Sequence, residues 1–247
     1  MSGLERWRER VALVTGASSG IGRAIAERLA DRGLRVAGLA RRRERLEELE
    51  AGRGVMPLCF DLKDEEQVLE AFAAVRGRWG GVDVLVNAAG LGHHSPLASG
   101  ATVDWREMLE VNVLALCVCT REALADMRVR GDDGHVIHVS SMSAHRVPAG
   151  SGVYSATKYA VRSLTEGLRQ ELRALGSGVR VSAVSPGFVE TEFAALYHRD
   201  PAAAERTYGR YQVLAPADVA DAVEYLLAAP PHVQVHDILL RPLEQET

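Results

Sequence analysis

Short runs rich in Val, Leu, Ile and Ala recur along the chain, separated by longer stretches in which apolar residues return every three or four positions. The short runs fall at residues 11–14, 35–40, 55–60, 82–87, 135–140, 179–185 and 238–240. None alternates cleanly between polar and apolar, which is the pattern of strands covered on both faces. Helical patterns separate nearly all of them, so the chain reads as an α/β protein: a doubly wound parallel sheet with helices on both sides. The clearest helix is expected at 152–174, where Val161, Leu164, Leu168 and Leu172 recur at helical spacing. From 188 to 214 the pattern weakens, with aromatic, Ala and charged residues mixed and Pro201 interrupting. A segment of that length after a strand predicts a lid over a binding site.

With 247 residues, 47% of them hydrophobic and 25% charged, the chain can bury one large core, and a single domain over 1–247 is expected. A formal net charge of −4 argues against a nucleic-acid surface, and the Arg run at 41–43 is too short to change that. No stretch approaches the ~18–20 apolar residues of a membrane span, and the first ten residues are charged and polar. Cys59, Cys117 and Cys119 form no C-x-x-C pair and suit a reducing compartment, so a soluble cytoplasmic protein is expected. Cys117 and Cys119 read as packing residues on a helix.

Two segments carry chemistry. Thr15-Gly16-Ala17-Ser18-Ser19-Gly20-Ile21-Gly22 follows the first strand and opens a helix. The missing side chains let the backbone approach a pyrophosphate, whose charge meets the free N–H groups of the helix start. At the end of the second strand such folds read the adenosine ribose, using an acid for the hydroxyls of NAD and basic residues for a 2′-phosphate. Here that strand ends Ala40-Arg41-Arg42 with no Asp or Glu, and a guanidinium fork matches a phosphate, so NADP(H) is expected. Beyond the third strand, Asp61-Leu62 reads as an adenine contact, or Asp61 as the N-cap of a helix beginning near Asp64. Asn87-Ala88-Ala89-Gly90 ends the fourth strand at the same edge, where small residues leave room for a ribose.

The second segment, Tyr154-Ser155-Ala156-Thr157-Lys158, sets a phenol and an ammonium one helical turn apart on one face. A free phenol titrates near pH ~10, and a nearby ammonium together with a positive nicotinamide favours the phenolate. Alone, the pair reads as an exposed helical couple; beside the glycine turn it reads as proton-transfer chemistry.

Together these residues resemble the short-chain dehydrogenase/reductase family, in its T-G-x-x-x-G-x-G, N-A-x-G and Y-x-x-x-K forms, over nearly the whole chain. The resemblance implies a Rossmann sheet ordered 3-2-1-4-5-6-7 and commonly a homotetramer. Carried over residue by residue, it implies Tyr154 as the general acid/base and Lys158 as its partner, which also bonds the ribose. Ser141 would orient the substrate oxygen, and Asn112 would support a proton-relay water. Val111-Asn112-Val113-Leu114-Ala115 lacks the family's usual closing glycine. Pro186-Gly187-Phe188-Val189-Glu190-Thr191 resembles the nicotinamide-side loop, with Val189 and Thr191 toward the carboxamide; the plain alternative is a Pro-Gly turn.

Further segments, among them Glu5-Arg6-Trp7-Arg8, Thr120-Arg121-Glu122-Ala123 and His145-Arg146-Val147, resemble a branch of NADPH-linked enzymes acting on ketosteroids, other ketones and terpenoid alcohols or aldehydes. Residues 144–153 look shorter than in that branch, so steroid specificity is not implied. The expected activity is NADP(H)-dependent interconversion of a ketone or aldehyde and an alcohol on a medium-sized apolar molecule, with Leu91, Val147, Phe188, Phe193 and Tyr197 as wall residues. Two alternatives stay open: a 3-hydroxy acid dehydrogenase, with Arg146 facing the carboxylate, and a non-catalytic NADP sensor, which would usually lack the proton-transfer residues kept here. No metal is expected, since His93-His94 lack further ligands at a metal-binding spacing and read as loop histidines near a pocket mouth. His145 reads either as a lining residue or as solvated.

Overall fold

In the first apolar run successive side chains must face opposite ways, as in any strand. Ala12 and Val14 join one buried cluster and Val11 and Leu13 another, so both faces of the strand are covered. The computed structural model, which describes residues 3–246, extends this to a seven-stranded sheet. The strands are β1 (Val11–Thr15), β2 (Arg35–Ala40), β3 (Met56–Cys59), β4 (Val84–Asn87), β5 (His135–Val139), β6 (Arg180–Pro186) and β7 (Asp237–Leu240). They pair in parallel throughout, in the order β3-β2-β1-β4-β5-β6-β7. That is the order the resemblance implied.

Around the sheet lie α1 (Gly20–Asp31), α2 (Arg43–Arg53), α3 (Glu65–Trp79), α4 (Thr102–Leu109), α5 (Ala115–Val129), α6 (Gly152–Ala174), α7 (Phe193–His198), α8 (Ala202–Tyr208) and α9 (Pro216–Ala228). Ile25 and Leu29 of α1, Leu46 and Leu49 of α2, and Val219, Val223 and Leu227 of α9 cover one face. The other face takes Val68 and Phe72 of α3, Val118 and Ala123 of α5, and Leu172 of α6. Cys119 is buried in that second cluster, where burial pushes its thiol up to about 12. The α6 bounds agree with the helical spacing read from sequence. Among the described residues no helix is long and apolar enough to cross a membrane.

Two local details bear on the site. The Asp64 side chain accepts hydrogen bonds from the Glu66 and Gln67 amides at 3.0 and 3.4 Å, so Asp64 and not Asp61 caps α3. Between α4 and α5, residues Glu110–Leu114 form one π turn, in which the Ala115 amide reaches the Glu110 carbonyl five residues back. With every strand parallel, the loops after β1 to β6 converge on one edge of the sheet, where such folds hold their ligands.

Candidate active site

The glycine turn is shaped by what surrounds it. Gly16 has φ +71°, and a Cβ there would come within 2.8 Å of the Ala89 Cα. At Gly22 a Cβ would collide with the Gly16 carbonyl. The Thr15 hydroxyl accepts from the Ala88 and Ala89 amides at 3.1 and 3.0 Å, tying this turn to the end of β4. The resulting bare backbone at the start of α1 is a cradle that fits a pyrophosphate.

Below it, Arg42 stretches across the turn. Its Nε donates to Ser18 Oγ at 3.1 Å, its Nη2 to Ser19 Oγ, and its Nη1 to Glu192 Oε2 at 2.8 Å. Arg41 is 61% exposed, with Asp61 4.0 Å away. Asp61 itself accepts from the Lys63 amide at 3.0 Å and stands on the cavity wall.

The loops enclose a cavity of about 1050 Å³. Every residue expected to touch a cofactor lines it except Asn87. The Asn87 side chain turns inward instead, donating to Thr120 Oγ1 at 3.1 Å. From there a buried chain runs through His138, whose two ring nitrogens lie 3.3 Å from Thr120 Oγ1 and 2.9 Å from Thr165 Oγ1. Burial, helped by the Lys158 charge, holds His138 down at about 4, so the imidazole is neutral at physiological pH.

Deeper in the cavity stand Ser141, Tyr154 and Lys158. Ser141 caps the 3₁₀ turn Met142–Ala144, its hydroxyl accepting from the Ser143 amide at 3.0 Å. Lys158 is buried, donates to the Val139 carbonyl at 3.1 Å, and lies 5.9 Å from the centre of the Tyr154 ring. Burial lowers its ammonium to about 8. The Tyr154 phenol is pushed up, not down as the spacing of the two residues suggested: burial dominates, while Ser141 pulls the other way. The cause is visible overhead. Phe193 and Tyr197 of α7 set their rings 5.4 and 6.0 Å from the Tyr154 ring, covering much of it from water.

Asn112 sits in the π turn, fully buried, and its side chain is fully engaged. Oδ1 accepts from the Leu91 amide at 2.9 Å, while Nδ2 donates to the Leu91 carbonyl at 2.8 Å and to Thr157 Oγ1 at 3.0 Å. It clamps the loop after β4 against α6.

Leu91, Phe188, Phe193 and Tyr197 line the cavity as expected, but Val147 does not: it is 60% exposed and faces solvent. His94 lines the mouth, whereas His93 is turned aside by Glu107, whose carboxylate lies 2.8 Å from its Nε2. His145 fits neither reading given to it. Its Nε2 lies 3.0 Å from Asp237 Oδ2 and 3.4 Å from Ser185 Oγ, which fixes it at the sheet edge. Spacing gave no sign of several lining residues: Glu192, Tyr208 and Tyr211 from the 188–214 segment, and Glu244, Gln245 and Glu246 beyond the last strand. Gln245 Oε1 accepts from the Phe188 amide at 2.9 Å, bringing the tail against the loop after β6.

Comparison with known proteins agrees with this geometry. Residues 10–202 match the family model described as short chain dehydrogenase. The chain is 52% identical over 255 residues to "Dehydrogenase/reductase SDR family member 11" of Bos taurus, covering 99% of this chain and all of the relative. It is 40% identical over 253 residues to "Farnesol dehydrogenase" of Aedes aegypti, covering 98% of this chain and 100% of that one. Among solved structures, the closed form of serine dehydrogenase complexed with NADP+ superposes with a TM-score of 0.92 at 34% identity, covering 96% of each chain. The glycine cradle, the Ser141, Tyr154 and Lys158 cluster and these matches place the chain in the short-chain dehydrogenase/reductase family, as an NAD(P)-dependent oxidoreductase acting on CH–OH groups.

Proposed function

We propose that the chain interconverts a ketone or aldehyde and its alcohol on a medium-sized apolar substrate, using NADP(H), with Tyr154 as the acid/base. The observation that carries this reading is the placement of Tyr154: half-buried, with Ser141 and Lys158 on the same cavity wall and an aromatic roof above. Preference for NADP(H) is supported by Arg42 lying across Ser18 and Ser19, with no acid at the end of β2. NADP(H), when bound, supplies or accepts the hydride. The chain's own residues handle the proton and the oxygen. Burial keeps the phenol neutral, so Tyr154 can give its proton to the carbonyl oxygen in reduction. The Ser141 hydroxyl bonds that oxygen as charge develops on it. Below about pH 8 Lys158 remains charged and opposes the phenolate left behind. Asn112 holds Leu91 and Thr157 in place, so the wall facing Tyr154 keeps its shape. Substrate character follows from the walls: Leu91, Phe188, Phe193, Tyr197 and Tyr208 offer an apolar, largely aromatic surface.

A second reading, oxidation of a small 3-hydroxy acid, rests on Arg146. It stands on the cavity wall, and its buried Nε and Nη2 have no hydrogen-bond partner among the described residues. A substrate carboxylate would satisfy them. Turnover assays with NADPH against apolar ketones and aldehydes, and with NADP+ against 3-hydroxy acids, separate the two. The Tyr154→Phe variant tests the chemistry common to both. Its kcat should fall by ~10²–10⁴-fold with NADPH affinity little changed. Retention of more than about a tenth of wild-type turnover would remove Tyr154 from its role.

A further inference from the structure

Glu192 stands where the adenosine end of the cavity meets the roof over Tyr154. One of its oxygens accepts from Arg42 Nη1 at 2.8 Å and the other from Arg45 Nη2 at 3.1 Å, so two guanidinium groups fork around the carboxylate. It is also the residue immediately before α7, the helix that carries Phe193 and Tyr197. That helix is pinned at its far end too: the His94 amide donates to the Tyr197 carbonyl at 2.9 Å, and the Tyr197 hydroxyl lies 3.4 Å from the Gly150 carbonyl. One side chain therefore links the guanidinium that lies across Ser18 and Ser19 to the start of the aromatic roof.

A carboxylate and a phosphate make the same demand on a guanidinium, since each offers paired anionic oxygens to its planar N–H fork. We propose that Glu192 is a resident stand-in for the cofactor's 2′-phosphate at Arg42, displaced when that phosphate arrives, so that it sets NADP(H) affinity and ties cofactor binding to the release of α7. This rests on the reading that Arg42 takes the 2′-phosphate. In the free chain Glu192 neutralises Arg42 and holds the start of α7 down. A 2′-phosphate on Arg42 brings a second anion against the carboxylate, and like charges sharing one guanidinium repel. Glu192 then gives up Arg42 and keeps Arg45 alone or swings away, and the tether on α7 loosens. The two side chains are 43% and 42% exposed, so their pairing is weak enough to exchange readily. Unphosphorylated cofactor brings no competitor and leaves the tether closed. Glu192 is thus a specificity-determining residue that works against the phosphorylated cofactor while making its arrival felt at the substrate end.

Calorimetric titration of wild-type chain and Glu192→Gln with adenosine 2′,5′-bisphosphate and adenosine 5′-monophosphate tests this. Removing the resident anion should tighten bisphosphate binding by about two- to fivefold and leave the monophosphate unchanged. Hydrogen–deuterium exchange of residues 189–199 supplies the second readout: the bisphosphate should speed exchange in wild type, and Glu192→Gln should already exchange fast without it. Weaker bisphosphate binding by Glu192→Gln, or equal changes for both nucleotides, would overturn the displacement. A wild-type chain that binds the two nucleotides equally well would overturn the Arg42 reading, and this inference with it.

Discussion

Replacing Lys158 by Met should make the cofactor-free chain more stable and inactive. The ammonium is buried, with the Val139 carbonyl at 3.1 Å as its hydrogen-bond partner and no carboxylate paired to it among the described residues. Burial brings it from 10.5 to about 8, which corresponds to a cost on the order of 3 kcal/mol at neutral pH. Met keeps the length of the stem and removes the charge, but leaves the Val139 carbonyl unbonded, which returns roughly 1–2 kcal/mol of that. The net gain is then about 1–2 kcal/mol, and for a chain of this length each kcal/mol raises Tm by about 2–4 °C. The pH dependence is the sharper signature. The folded chain releases the Lys158 proton near pH 8 while the unfolded chain keeps it until 10.5, so between those values the unfolded state binds more protons. Wild-type stability from this group therefore rises as pH climbs through that window, and the advantage of Lys158→Met shrinks over the same interval. Thermal denaturation by near-ultraviolet circular dichroism at pH 6, 7, 8, 9 and 10 reads both effects. A variant less stable than wild type at pH 6, or a gap equal at pH 6 and pH 10, would refute the assignment of a buried, uncompensated ammonium.

Two further outcomes are expected. Arg42→Ala should weaken NADPH binding by roughly 10- to 100-fold and NADH binding far less, with Arg41→Ala showing a smaller NADPH loss because Arg41 is mostly exposed; fluorescence titration of both reduced cofactors checks this, and equal losses for NADPH and NADH would contradict it. Asn112→Ala strands the Leu91 amide and carbonyl and removes a donor from Thr157, so urea denaturation should show a loss of about 2–3 kcal/mol, and kcat/KM should fall although the residue lies off the cavity wall.

What could be read from the sequence divides along a physical line. Strand positions and the span of α6 were legible because burial imposes a local rhythm on the residues that form them, and observed strand ends lie within two residues of those read from it. The glycine turn and the Tyr154, Lys158 pair were legible because their chemistry is local too. Glu192 was not, since its meaning depends on Arg42 and Arg45, brought beside it by the sheet from well over a hundred positions away. The tail from Glu244 to Glu246 lies past the last strand, where no rhythm marks it as part of a wall. The directions of Val147 and His145 escape a sequence reading for a related reason. In a loop with no period, direction is set by partners such as Asp237, which lie far away along the chain. The spacing of Tyr154 shows its helical neighbour Lys158, while the α7 rings that cover the phenol come from another segment.

The π turn at Glu110–Leu114 gives the chain an unusual mutational vulnerability. An α-helix advances about 100° per residue, so one residue more or fewer swings everything on one side of the change around the axis relative to the other. Here α4 and α5 are already offset by such a step, and Asn112 reaches Leu91 from within it. Removing a single codon beside Asn112 would let the two helices merge into one regular rod. The sheet would survive, and so would every residue of the glycine turn and of the Tyr154 cluster. The clamp on Leu91 would be lost, by an event that no scan of point substitutions samples.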